Sequence, residues 1–312
     1  MQLKKHGLGR DLAQNGQLHV MVAPAVIFIF IMCYLPMAGI VLAFKNFRYD
    51  LGIFGSPWNG FDNFRFLFVS GIGWRITRNT IVFNLINIVS GHTIAILLAL
   101  AIAEFPGGSF GKAYKRFCQS VSFLPHFISW VLVGVFAYNI FSYDIGALNN
   151  LLKTMGFDPV NIYQMPRAWY FIIPVFNAWK WCGWASIIYI ASIMAIDQEC
   201  YEAADIDGAN KFQKIWYITL PSIKPTIIIM LLLNLGNILR GNFEMFYQLV
   251  GNNGQLFPVT EIIDTYVFRS LMTNPSLGMT AAASVYQSVV CFVFIVTINR
   301  IVRKVEPDYA LF

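Results

Sequence analysis

The sequence predicts an all-α membrane protein of six transmembrane helices, with a polar loop of two short helices between the fourth and fifth. Three observations carry this. Only 12% of the 312 residues are charged and 57% are hydrophobic, whereas soluble domains carry roughly 25% charged residues. Six apolar runs are spread along the chain, most of them near the roughly 20 residues that cross a bilayer core. Lysines and arginines are unevenly divided between the intervening segments, which sets an orientation.

In order, residues 1–18 are polar and carry Lys4, Lys5 and Arg10. The run that follows, about 19–44, is too long for a signal-peptide core and lacks a clear cleavage site, so it reads as an uncleaved first span containing Pro24 and Pro36. The further spans are predicted at about 80–103, 118–141, 170–196, 225–242 and 279–302, within a single transmembrane domain covering 1–312. The fifth is the shortest and reaches 242 only by including polar residues. No internal repeat is visible. With the N-terminus inside, segments 1–18, 104–117, 197–224 and 303–312 hold Lys112, Lys115, Arg116, Lys211, Lys214, Lys224, Arg303 and Lys304 besides the N-terminal cations. The longer outer loops hold fewer. This modest bias places loop 197–224 and both termini in the cytoplasm. The first outer loop, rich in glycine, proline and aromatics from Phe44 to Phe64, is predicted to be compact. The net charge of +6 is scattered across loops, which suits anionic lipid and not nucleic acid. The five cysteines, Cys33, Cys118, Cys182, Cys200 and Cys291, are isolated and form no metal pattern.

Loop 197–224 has the clearest local physics. Asp197 is a good N-cap for a helix bearing Glu199, Glu202 and Asp205. Ala203 and Ala204 would let another backbone approach. Gly208 permits a sharp bend, and Asp207 could cap a second helix. On that helix Ala209, Phe212, Ile215, Trp216 and Thr219 share one face, Lys211 and Lys214 another, and Pro221 is expected to end it. Two short helices at an angle suit docking into a cleft on another protein; the plainer reading is an ordinary helical hairpin between spans. The spacing Glu202-Ala203-Ala204, Gly208, Ile218-x-Leu220-Pro221 resembles the EAA loop of bacterial ABC importer permeases. Four more stretches resemble the LplB-type carbohydrate branch: the first outer loop, Leu124-Pro125-His126-Phe127-Ile128-Ser129-Trp130, Trp179-Lys180 with Gly183-Trp184, and Ile263-Asp264-Thr265-Tyr266-Val267. Leu256-Phe257-Pro258-Val259 departs from that branch's Asn-Pro stretch, and Gln198 stands where many such loops have proline.

The resemblance implies that Glu202, Ala203, Ala204, Asp207, Gly208, Ile218, Leu220 and Pro221 couple to an ATPase. It implies oligosaccharide cargo, a second and different permease subunit, two ATPase subunits, an extracytoplasmic solute-binding protein and residence in the bacterial cell membrane. ATP and Mg would be bound by the ATPase partners, leaving this chain no cofactor of its own.

The chemistry visible in the residues agrees with a non-enzyme. Gly107-Gly108-Ser109-Phe110-Gly111-Lys112-Ala113 superficially suggests a phosphate loop, but position 106 is proline and Ala113 stands where a magnesium-binding hydroxyl belongs. It is expected to be a cytoplasmic turn. His92 and His126 have no companion at ligand spacing and read as structural, His126 as a donor to a carbonyl freed by the Pro125 kink. In span four, Asn177, Lys180, Trp181 and Trp184 recur at three and four residues. A lysine mid-helix costs roughly 2.5–3.5 kcal/mol on insertion scales, so it should face protein or a water-filled path. Tryptophan rings can stack on sugars; alternatively Lys180 snorkels and the tryptophans form an interface belt. Asn234, Asn237 and Arg240 follow the same spacing in span five and either line the path or bond between helices. The substrate-path candidates are therefore Asn177, Lys180, Trp181, Trp184, Asn234 and Asn237. A self-sufficient secondary transporter of a small polar solute would carry intramembrane carboxylate or histidine relays and often repeats; an intramembrane enzyme would carry a catalytic constellation. Neither signature is visible.

Overall fold

The computed structural model describes residues 15–69, 71–104, 108–273 and 276–305. Lys4, Lys5, Arg10, Pro106 and Gly107 lie outside the described residues. Among those described, the structure is helical, with one isolated β-bridge between Lys45 and Trp58. We label the main helices α1 (Gly16–Phe44), α2 (Ile72–Ala103), α3 (Gly108–Phe123), α4 (Trp130–Phe141), α5 (Trp169–Met194), α6 (Gln198–Ile206), α7 (Lys211–Leu235), α8 (Phe243–Val250), α9 (Ile263–Thr273) and α10 (Leu277–Val305). By length and composition, α1, α2, α7 and α10 can each cross a membrane. Two bent pairs bring the number to six: α3 with α4, at 94°, and α5 with α6, at 69°.

The chain divides into two compact units, Met1–Arg65 with Ser276–Val285 and Phe66–Pro275 with Tyr286–Phe312. In the first unit α1 is apolar all round and changes pitch along its length, with a π turn at Phe30–Tyr34 before a 3-10 stretch at Leu35–Phe44. Pro36 lies at the start of that stretch, where its missing N–H matters least. The first outer loop is compact. Asn63 donates to the carbonyls of Leu42, Ala43 and Lys45 at 3.3, 3.0 and 2.8 Å. Lys45 is buried, donates to the carbonyls of Ile53 and Phe54, and lies 5.1 Å from the Trp58 ring.

The second unit is built around α2 and α5, which pack along their length. One apolar cluster joins Phe83, Trp130, Val133, Trp169, Ile173, Phe246 and Leu249. Another joins Ala95, Ala99, Tyr189, Ile190, Ile193 and Ile223. Between the clusters α2 carries Asn84, Asn87 and His92, and α5 carries Asn177 and Lys180, among apolar residues. An ion-pair group fastens one edge: buried Glu261 takes Arg75 at 2.8 Å and Arg269 at 2.5 Å, while Asn79 donates to the carbonyls of Pro258 and Glu261.

Three expectations need correction. The predicted span 118–141 is not continuous. After α3 comes one 3-10 turn, Leu124–Phe127, and then extended backbone at Ile128 and Ser129 before α4, whose first turn Ser129 caps. Pro125 withholds an N–H and disfavours helix before it, so the break falls there. Span five starts earlier and ends sooner than predicted, at Lys211 and Leu235. Residues 236–242 are turn and coil, so Asn237 and Arg240 do not continue the stripe of Asn234. Finally, Gly108 to Ala113 form the opening turns of α3, not a cytoplasmic turn between helices.

Candidate functional site

Loop 197–224 is closed on itself by five devices. Asp197 accepts the Glu199 N–H at 3.0 Å and starts α6. At the other end Gly208 takes φ 74°, and the N–H groups of Gly208 and Ala209 donate back to the carbonyls of Asp205 and Ala204. That is a Schellman closure, and a side chain at Gly208 would strain it. Asp207 is consequently the last cap of α6. The cap predicted for it on the second helix belongs to Asn210, which forms a reciprocal capping box with Gln213 at 2.9 and 2.8 Å. The arms are tied by Tyr201 Oη to Thr219 Oγ1 at 2.9 Å and by the Lys214–Asp205 ion pair.

The second arm does not stop at Pro221. A π turn at Ile215–Thr219 carries it directly into the membrane-spanning part of α7. Pro221 occupies the opening positions of the α segment that follows this wide turn, where a missing donor is tolerated. The predicted apolar face is also split: Thr219 is fully buried, whereas Phe212 is 83% and Trp216 68% exposed. Ile206 and Tyr217 are likewise exposed. Glu202, Ala203, Asp207, Gly208 and Pro221 face outward, and Ala204, Ile218 and Leu220 are partly buried.

A cavity of about 470 Å³ lies among α2, α5, α7 and the segment that follows α7. Five asparagines line it, Asn84, Asn87, Asn177, Asn234 and Asn242, with His92, Tyr189, Arg240, Trp181 and Trp184. His92 Nδ1 is 2.6 Å from Tyr189 Oη, and its Nε2 is 3.2 Å from Asn234 Nδ2, so this histidine ties three helices together at the wall. Asn87 Oδ1 is buried with no hydrogen-bond partner among the described residues. The coil after α7 is held open by side chains. Asn84 donates to the carbonyls of Ile238 and Arg240, Gln287 to that of Leu239, and Asp264 accepts the Gly241 N–H at 2.9 Å. Irregular backbone survives at membrane depth only where protein satisfies it in this way.

Of the predicted path residues, Asn177, Trp181, Trp184 and Asn234 line this cavity, and Lys180 and Asn237 do not. Lys180 is 5% exposed and turns toward the break in span three. Its ammonium donates to the carbonyls of Pro125 (3.3 Å), His126 (2.8 Å) and Ile128, and lies 5.5 Å from the Trp130 ring. Three converging carbonyls need three donors, which an ammonium has and an imidazole lacks. The job expected of His126 therefore falls to Lys180. The His126 ring instead stacks on Trp184 at 4.8 Å and meets Trp181 edge-on. Gly183 completes the seam: a Cβ there would sit 2.0 Å from the Ser122 carbonyl oxygen. Trp184 is thus both cavity wall and part of the joint with the bent span. Among the described residues no cluster of His, Cys, Asp or Glu could hold a metal.

The family described as the inner membrane component of binding-protein-dependent transport systems matches residues 91–307. The chain belongs to that family. It is 34% identical over 304 residues to the polygalacturonan/rhamnogalacturonan transport system permease protein YteP of Bacillus subtilis (strain 168), covering 96% of this chain and 92% of the relative. It is 31% identical over 297 residues to protein LplB of the same organism, covering 95% and 92%. Two solved structures agree with the fold. One is a bacterial ABC transporter involved in the import of the acidic polysaccharide alginate, with TM-score 0.85 at 34% identity over 96% of this chain and 99% of that one. The other is a bacterial alginate ABC transporter in complex with its alginate pentasaccharide-bound periplasmic protein, with TM-score 0.84 over 96% and 98%. The matched relatives are transport permeases, and this chain is a multi-pass membrane permease.

Sequence reasoning missed the α2 wall of the cavity. Its signal was present: Asn84, Asn87, Ile88, Gly91 and His92 recur at helical spacing, an uncommon polar stripe inside an apolar span. Arg240, singled out with Asn234 by its spacing, does line the cavity, although from coil and not from a continued helix; Asn242 had no such signal, because its position depends on where α7 stops.

Proposed function

We propose that this chain is a permease subunit of an ATP-driven importer of oligosaccharides, forming half of the translocation path and coupling to a separate ATPase through loop 197–224. The observation that carries the reading is the cavity wall. Asparagine amides both donate and accept, as sugar hydroxyls do, and two indoles offer faces on which a pyranose can stack. No Asp or Glu lines the cavity, which disfavours a self-contained proton- or sodium-coupled relay. The names of the relatives, which concern polygalacturonan, rhamnogalacturonan and alginate, support polymeric sugar cargo. The complex implied contains a second permease, two ATPase subunits and an extracytoplasmic binding protein, with both termini of this chain in the cytoplasm.

The geometry suggests how ATPase closure reaches the cargo. From Lys211 to Asn234 the backbone is one helix, about 35 Å long at 1.5 Å per residue. A displacement of its docking end, where Phe212 and Trp216 are exposed, is carried as a rigid lever to Asn234 on the cavity wall. Asn234 is bonded to His92, and His92 to Tyr189, so α2 and α5 feel the same displacement. The test is reconstitution of the full complex in vesicles. ATP-dependent oligosaccharide uptake that needs every subunit supports the reading, and uptake by this chain without any ATPase refutes it.

A further inference from the structure

We infer that Arg240 is the specificity residue of the path, and that it recognises a carboxylate on the transported sugar. The inference rests on the oligosaccharide reading above and adds to it the charge of the cargo: sugars carrying uronic acids. Arg240 lines the cavity and is exposed, yet it stands on backbone that cannot drift. Its own N–H donates to the Asn237 carbonyl at 2.8 Å, its carbonyl accepts from Asn84 at 3.2 Å, and the next N–H is held by Asp264. The base of the side chain is therefore fixed while its guanidinium forms no hydrogen bond or ion pair to any described residue.

Asp264 feels Arg240 only through its field; its Oδ2 is already taken by the Gly241 N–H and by Gln287 Nε2 at 3.3 Å. The cavity wall carries no acid of its own. A fixed cation on the wall of a cavity within the membrane is costly unless an anion comes to it. A guanidinium fork matches the two oxygens of a carboxylate and gives it direction, which an amide or ammonium does not. The same cavity offers what the rest of a sugar needs: the Trp181 and Trp184 rings for its apolar face, and asparagine amides for its hydroxyls.

The test uses proteoliposomes holding the full complex with its binding protein in excess. The probes are trigalacturonate and trimannuronate, each with its neutral methyl ester. The readout is the ratio of acid to ester uptake, per assembled complex. Wild type should favour the acids. Arg240→Gln should lower that ratio on the order of tenfold, the usual cost of one charge-assisted bidentate contact. Arg240→Lys, which keeps the charge without the fork, should fall between and carries the test if the Gln variant fails to assemble. The binding protein is common to all samples, so a changed ratio reports on the permease. An unchanged ratio in both variants, or a wild type that prefers the esters, overturns the inference and leaves the importer reading standing. Uptake of no sugar by wild type overturns the importer reading itself.

Discussion

Lys180→Met separates a structural lysine from a cargo-binding one. Methionine keeps the length and apolar stem but leaves the carbonyls of Pro125, His126 and Ile128 without their shared donor. Each buried unsatisfied acceptor costs about 1–3 kcal/mol. The variant also avoids burying an ammonium, a relief of several kcal/mol. The net destabilisation is expected at about 2–4 kcal/mol, concentrated at the joint between α3, α4 and α5. The assay is thermal melting of the detergent-solubilised complex by fluorescence-detected size exclusion, with uptake measured per assembled complex. Melting should fall by several degrees and yield should drop, while the assembled remainder keeps its preference among cargoes. A normal melting profile combined with selective loss of acidic cargo would refute the clasp and return Lys180 to the path.

Three further outcomes are expected. Gly208→Val forces a β-branched residue into φ 74°, a strain of at least 1–2 kcal/mol by order of magnitude, and Glu202→Ala removes an outward charge beside it; both should cut uptake and ATPase coupling with membrane insertion normal, so full transport in both would sink the docking role. Trp184→Ala removes a cavity face and the ring stacked on His126; uptake per assembled complex should fall severalfold, and unchanged uptake would make this wall mere packing. The purified chain alone should show no ATP binding in equilibrium dialysis, because its phosphate-loop lookalike fails at Pro106 and Ala113; saturable binding would contradict this.

The helical membrane architecture and the bend at Gly208 were legible in the sequence, because apolar run length and a lone glycine between capped segments are local signals. What the prolines do was not legible. Pro125 breaks its span, whereas Pro221 and Pro225 sit inside α7. The difference lies in what satisfies the freed backbone, and at Pro125 that is Lys180, some 55 residues away. Helical spacing placed Lys180 near Asn177, since three residues leave only about 60° between them. It could not say that Lys180 turns away from the cavity into the broken span, while Trp181 and Trp184 touch both. The asparagines of α2 were hidden by the apolar residues between them, although their spacing alone would have marked a wall.

Loop 197–224 is ordered by its own contacts. Its Schellman turn, capping box, hydroxyl pair and ion pair are internal to residues 197–224. Ordering a disordered segment on contact costs about 1–2 kcal/mol of backbone entropy per residue, and a loop of this size would spend most of an interface's energy on that. Here the cost falls in folding, once, and not in every encounter. In the docking role proposed above, a few exposed side chains, among them Ile206, Phe212, Trp216 and Tyr217, would then be enough for a contact that forms quickly and survives repeated cycles of pushing without melting and refolding the surface that receives the push.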